Sequence, residues 1–457
     1  MTSALPKTSV AETLAHKIVA LKPGSLPAAT TRKCEDLLID VTGLCVTARN
    51  EDYIKSALFG WDDDGPCTAI GHTRTLTASG AAFVNGTAAH GEDFDDTFEG
   101  GPVHAGAVVV PAVLAACERH NPDGRMALIG IAVGCEVLCR LSVVVPKAVH
   151  KAGFHPTAVF GAMGAAAGVG AALGLNEKQI VDALGIAGSM AGGIIEYLAE
   201  GAWTKRLHAG WAAQSGIRAA LLARQGFVGP RTVFEGVHGL FNGFAHTTDG
   251  DYDALSGDFG DRWVIDTLAF KPYPCGTMAQ PYIDCARRLA ARGVKADGIK
   301  EIVCEVAEGT VHRLWEPLAD KQRPRNGYAA KFAVPYLLAA GFVHGGVGLG
   351  AFTETAIRDP KVLALAAKVK FVIDPDNPYP NNYTGHIRAT MNDGSVVEER
   401  QPYLRGGAQE PLTRQDVTDK FALNAEHGGW DKTQSDVALK LMAGLYGGKI
   451  DLSALRN

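Results

Sequence analysis

The chain has 457 residues, 47% hydrophobic and 20% charged, which is enough apolar material for a large interior and excludes a disordered tail. Its 44 Lys plus Arg against 49 Asp plus Glu give a net charge of −5 without a long single-sign run. That balance argues against a nucleic-acid binder and against a polybasic membrane-surface protein. The nine cysteines are scattered and include no C-x-x-C, so no zinc knuckle or redox pair is suggested, and a reducing, cytoplasmic setting is expected.

Length favours two or three domains. The stretch Met1 to Leu21 reads as a weak amphipathic helix around Lys7 and Lys17 with no apolar signal-peptide core. Helical, Ala-rich patterns follow over Ala28–Arg49, Thr77–His90, Val108–Glu118, Met126–Leu141, Glu177–Met190 and Trp211–Gln225, broken by Gly or Asn-Pro. Ala158 to Leu175 carries no charge and approaches membrane-spanning length, but its Ala and Gly content predicts a helix packed inside a protein core. After Trp263 the pattern changes. Ile299–Val306 alternates like a half-buried strand, and Val369–Ile373 follows a helical Val362–Ala367. His386–Met391, Asn392-Asp393-Gly394 and Ser395–Glu399 read as a hairpin whose Asp-Gly supplies positive φ. Helix returns from about Gln415 to Leu455. The predicted fold is mainly α: an all-α region over 1–265, an α/β region over 266–405, and returning helix over 406–457.

Four clusters could carry chemistry. In His90-Gly-Glu-Asp93-Phe-Asp95-Asp96-Thr97, followed by His104, a helical reading puts Asp93, Asp96 and Thr97 on one face. Three carboxylates so close need compensation by solvent, a metal, a cation or a shared proton; a solvated helix end with capping aspartates is the plainer alternative. Asp95-Asp96-x-x-Glu99 has the form of an aspartate-rich magnesium motif. Its required companion motif is missing, since Asn392-Asp393-Gly394-Ser395 has the wrong spacing, so no metal is expected. His155, in Gly153-Phe-His-Pro-Thr157, falls at a helix N-terminus, where the dipole favours a neutral imidazole suited to acid–base work; a capping histidine is the alternative. Lys205, Arg206 and His208 in Trp203–Gly210 form an anion site or a solvated basic patch, with Trp203 and Leu207 suggesting partial burial. Lys271 lies in Phe270–Gly276, where two prolines fix an extended loop able to aim it inward. The glycine-rich runs near Gly168 and Gly346 do not open a helix after a strand, so no dinucleotide fingerprint is present.

Taken in order, AAHGEDFDDT…VHAGAVVVPA, GCEVLCRL, GFHPTAVFGAMGAAAGVGAALGL, WTKRLHAGWAAQSG and FKPYPCGT resemble the MmgE/PrpD family over essentially the whole chain. This family includes 2-methylcitrate dehydratases, cis-aconitate decarboxylases and iminodisuccinate epimerase. The resemblance implies a large all-α domain over 1–265 completed by 406–457, a smaller α/β lid domain over 266–405, and a homodimer without cofactor, acting on a small di- or tricarboxylate. It further implies that Asp93, Thr97, His104, His155, Lys205 and Lys271 line a cleft. Asp93, His104, His155 and Lys205 would then be catalytic, and Thr97, Arg206, Lys271 and Tyr328 would bind substrate. Two departures stand out. His208-Ala209-Gly210 replaces the usual His-Pro-Gly. In decarboxylase-like members a histidine follows the Lys…Pro loop, whereas the matching positions here are Gly276 and Gln280. These departures rank dehydration of a 2-methylcitrate-type acid first, epimerisation of an imino- or amino-dicarboxylate second, and cis-aconitate decarboxylation or a non-catalytic homodimer last.

Overall fold

The computed structural model describes residues 8–101 and 103–456; the N-terminal reading at Met1 to Lys7 lies outside the described residues. The chain is mainly α-helical and divides into two compact units, Met1–Leu268 with Thr413–Asn457, and Ala269–Leu412.

The first unit begins with α1 (Val10–Ala20), α2 (Ala28–Ala48) and α3 (Asp52–Phe59). It continues through α4 (Ala78–Gly91), α5 (Gly106–His120), α6 (Gly124–Val144), α7 (Pro156–Ala172), α8 (Glu177–Met190) and α9 (Thr204–Arg224). Helices α4 to α7 and α9 pack tightly because their facing residues are Ala and Gly. On α6 and α7, Gly134 faces Gly164 and Gly130 faces Gly168. A Cβ at Gly164 would meet the Gly134 carbonyl at 2.7 Å, and one at Gly168 would meet the Gly130 carbonyl at 2.6 Å. Backbones can approach this closely only where the side chain is a hydrogen.

The second unit contains β3 (Ile299–Val306), β4 (Val369–Ile373), β5 (Gly385–Met391) and β6 (Val396–Gln401), in the sheet order β4-β3-β5-β6. Strand β4 runs parallel to β3, while β5 and β6 are antiparallel. Helices α10 (Gln280–Ala291), α11 (Val334–His344) and α12 (Pro360–Ala366) accompany the sheet. They share with it a core that includes Ile302, Cys304, Leu337 and Ile387. The chain then returns to the first unit as α13 (Arg414–His427) and α14 (Lys432–Gly444).

Several sequence expectations need correction. The helical region also holds a two-stranded ribbon, β1 (Asp64–Thr68) with β2 (Thr75–Leu76), too short and Gly/Pro-rich to show alternation. Helix α9 starts at Thr204, two turns before Trp211, because Lys205, Arg206 and His208 break the apolar pattern without breaking the helix. In the β5–β6 turn only Gly394 has positive φ, at 85°; the Asp393 carboxylate instead accepts the Ser395 N–H at 2.9 Å. Helix α7 is shorter than a membrane span. Helix α6, at 21 residues, is long and apolar enough to cross one, but it is largely buried inside its own unit.

Candidate active site

Asp93 to Thr97 do not share a helix face. Helix α4 ends at Gly91 and Asp93 turns the chain with φ 59°, in the left-handed region. The following residues form a buried loop, so the three carboxylates point to three different partners. Asp93 accepts a hydrogen bond from the Lys205 ammonium of α9 at 2.6 Å, with side chains only 5% and 11% exposed. Asp95 accepts from His90 Nδ1–H at 2.6 Å, both side chains fully buried. Asp96 accepts the N–H groups of Ala105 and Gly106 at 3.0 Å, at the start of α5. Burial and the neighbouring Asp95 push the Asp96 carboxyl up to about 7, against the lowering effect of those two N–H groups. Thr97 is buried beside them.

Around this loop stand four imidazoles. His104 Nδ1 lies 2.7 Å from the Asp96 carbonyl oxygen, and since a carbonyl only accepts, Nδ1 carries the proton. The backbone N–H of His104 donates to Thr157 Oγ1 at 3.3 Å, tying it to α7. The His90 ring sits 4.9 Å from that of His104 and stacks at 5.6 Å on His155. His155 is the N-cap of α7, as expected, and its Nδ1 lies 3.1 Å from His208 Nδ1. Two Nδ1 atoms at that distance must share one proton, so each imidazole fixes the other's tautomer. Burial, followed by His90, His208 and Lys205, holds His155 well below the usual histidine range. Burial, then His90 and Lys205, bring His208 down to about 4. Both are neutral bases at pH 7, with burial rather than the helix dipole as the leading cause.

His208 opens onto a pocket of about 640 Å³ that also touches Gly192, Gly193, Tyr197, Thr204 and Trp211. The Tyr197 ring meets both His155 and His208 edge-on. The pocket wall is fastened to the histidine loop by the His155 N–H on the Gly193 carbonyl at 2.8 Å and the Ile195 N–H on the Gly153 carbonyl at 3.0 Å.

Arg206 has partners within its own unit. Its guanidinium lies 4.2 Å over the Tyr53 ring and 3.9 Å from Glu92, whose carboxylate accepts the Tyr53 O–H at 3.0 Å. Trp203, expected to be partly buried, is 51% exposed. In the second unit Lys271 is buried and Tyr328 half-buried, its ring 5.5 Å from that of Phe332. The Gln280 amide donates to the Tyr273 and Cys275 carbonyls at 3.2 and 3.3 Å, so it fastens the loop that carries Lys271. Gly276 offers only backbone there, its N–H on the Lys331 carbonyl.

Sequence reasoning places His90 and Asp95 in the first cluster but gives them no catalytic or binding role, and reads His208 only as part of an anion site or basic patch. His90 and Asp95 are five residues apart across the end of a helix, and only the left-handed turn at Asp93 folds them together. The three ligand atoms of His90, Asp95 and His104 lie within 4.8 Å of one another, as a metal site would require. The 2.6 Å between His90 and Asp95 is shorter than two ligands of one ion adopt and matches a charge-assisted hydrogen bond instead.

Neutral imidazoles, a buried carboxylate–ammonium pair and an open pocket are the groups that acid–base chemistry uses. Residues 12–253 match the MmgE/PrpD N-terminal domain and residues 273–442 the MmgE/PrpD C-terminal domain. The chain belongs to the MmgE/PrpD family. It is 30% identical to the cis-aconitate decarboxylase of Homo sapiens over 446 residues, 93% of this chain and 90% of that protein. It is 27% identical to a cis-aconitate decarboxylase-like protein of Aspergillus oryzae over 445 residues, 92% of this chain and 91% of that one. With the mitochondrial 2-methylcitrate dehydratase of Yarrowia lipolytica it shares 25% over 256 residues, 50% of this chain and 45% of that protein.

Proposed function

We propose that the protein is a lyase of small tricarboxylates that works by proton transfer next to a carboxylate, and that its reaction is the dehydration of a 2-methylcitrate-type hydroxy acid. The observation that carries this reading is the Asp93–Lys205 pair within electrostatic reach of the neutral His155–His208 pair, of which His208 lines the pocket. The Lys205 ammonium holds a substrate carboxylate and spreads the charge that develops when the adjacent C–H is broken. A neutral His155 takes that proton, and the polyanion that binds beside it stabilises the imidazolium that burial, chiefly, and Lys205 disfavour. His104, as the imidazolium, gives its Nε2 proton to the departing hydroxyl while its Nδ1–H stays on the Asp96 carbonyl. These roles need no metal or organic cofactor. The homodimer and the cytoplasmic setting remain part of the proposal. Exposed Ile194, Leu198, Trp203 and Trp211 offer apolar surface for a second copy.

The names of the relatives favour a second reading, decarboxylation of cis-aconitate. Against it stands Gly276, which has no proton to give where decarboxylase-like members resemble one another in carrying histidine. Gln280 has both amide hydrogens engaged toward carbonyls. The test is a panel of hydroxy-tricarboxylates, cis-aconitate and imino- or amino-dicarboxylates, read for water loss, CO₂ and change of chirality. Water loss from a hydroxy-tricarboxylate is expected. Racemisation alone would mean epimerisation, and CO₂ release would mean decarboxylation.

A further inference from the structure

The residue that shapes the candidate site most unusually is Asp93, because a non-glycine residue pays for the left-handed region unless its surroundings over-determine it. Both of its neighbours are pinned. On one side Glu92 is held by the Tyr53 hydroxyl and faces the Arg206 guanidinium. On the other side the Phe94 carbonyl accepts from the ammonium of Lys420 at 2.6 Å, and the same ammonium lies 4.0 Å over the Phe94 ring.

Lys420 comes from α13, far along the chain, and is itself buried. Its charge is balanced by Asp40 of α2, 1% exposed and 2.7 Å away. Helices α2 and α13 meet closely at Gly43, where a Cβ would lie 3.0 Å from the Phe421 ring and 3.3 Å from its Cα. That contact brings Lys420 level with the loop. A lysine fully balanced by one carboxylate has ammonium hydrogens left over, and here one goes to a backbone oxygen next to the left-handed turn. Phe94 also sits between the two residues that the site uses in opposite directions, Asp93 toward Lys205 and Asp95 toward His90.

We infer that Lys420 is a positioning residue: through the Phe94 carbonyl it holds Asp93 in the left-handed turn and so aims Asp93 at Lys205 and Asp95 at His90. The inference rests on the proposed site only for its effect on turnover, not for its effect on the loop. The experiment therefore has two readouts, steady-state kinetics on the panel substrate and hydrogen–deuterium exchange of a peptide covering Glu92 to Thr97. Lys420→Met should speed exchange in that peptide at least about tenfold and lower kcat about 30-fold, with KM within about threefold. Lys420→Arg, which can reach both Asp40 and the carbonyl, should restore most of kcat. If Lys420→Met does not fold because Asp40 is left uncompensated, Lys420→Met with Asp40→Asn removes both charges and still lacks the tie to Phe94. Unchanged exchange across Glu92 to Thr97 in either variant would overturn the inference. So would a kcat within twofold of wild type while Asp93→Asn has lost activity. Wild-type activity in Asp93→Asn would instead sink the proposed site, and the exchange data alone would then decide the role of Lys420.

Discussion

Replacing Lys205 separates catalysis from stability, because it has a role in the proposed reaction and also forms a buried ion pair. From the sequence, a cation at a cleft lies outside the core and its loss would change stability little. The pair it forms with Asp93, at 2.6 Å with 11% and 5% of the side chains exposed, reverses that expectation. Lys205→Met leaves a buried carboxylate uncompensated, in a residue already in the left-handed region, which costs about 3 kcal/mol. For a unit of this size that is a fall in Tm on the order of 5 °C. Catalysis should suffer separately, with kcat/KM down by at least about two orders of magnitude, or ~3 kcal/mol of transition-state stabilisation. Asp93→Asn combined with Lys205→Met removes both charges and should recover most of the lost stability while activity stays absent. Thermal unfolding and steady-state kinetics on the four proteins of this cycle supply the measurement. A double variant no more stable than Lys205→Met would refute the coupling, and normal kinetics in Lys205→Met would refute the catalytic assignment.

His208 ionises near 6.5 in an unfolded chain and near 4 here. The stability it contributes is therefore complete above about pH 6.5 and is lost as pH falls toward 4. His208→Gln should flatten the acid side of the stability profile by about 3 kcal/mol at most, measured by denaturant titration between pH 4 and 7. Arg140 is fully buried, bonded to Glu136 and Asp258 at 2.6 Å each and to the Ala254 and Arg262 carbonyls at 2.8 Å. Arg140→Met should cost about 3–5 kcal/mol of stability, seen as a lower denaturation midpoint, with kcat of the folded enzyme unchanged. Exhaustive chelation should leave full activity, because His90 and Asp95 are joined by a proton; activity lost to a chelator and restored by magnesium or iron would contradict that.

Periodicity was most informative where packing follows it. Strand Ile299–Val306 has the bounds its pattern suggests and buries Ile302, Cys304 and Val306 on one face; Val369–Ile373 and Glu177–Met190 also have the expected bounds. The motif residues Asp93, His104, His155 and Lys205 do gather in one place within the first unit. What spacing could not show was how. A left-handed residue at Asp93 turns a presumed helix face into a loop, and that turn depends on Lys420, hundreds of residues away. Likewise Arg206 looks like a substrate cation from its neighbours in sequence, yet Tyr53 and Glu92, contributed by α3 and the end of α4, take it up. Partners this distant leave no local pattern.

The most direct test of proton transfer beside a carboxylate is a proton NMR time course with the enzyme and cis-aconitate in D₂O. A hydro-lyase running in reverse should yield a hydroxy-tricarboxylate with all its carbons and one deuterium on the carbon next to a carboxylate, and Lys205→Met should yield none. Steady itaconate formation at about 1 s⁻¹, within the ordinary enzymatic range, would show that decarboxylation proceeds without a histidine at Gly276 and would contradict the proposed reaction.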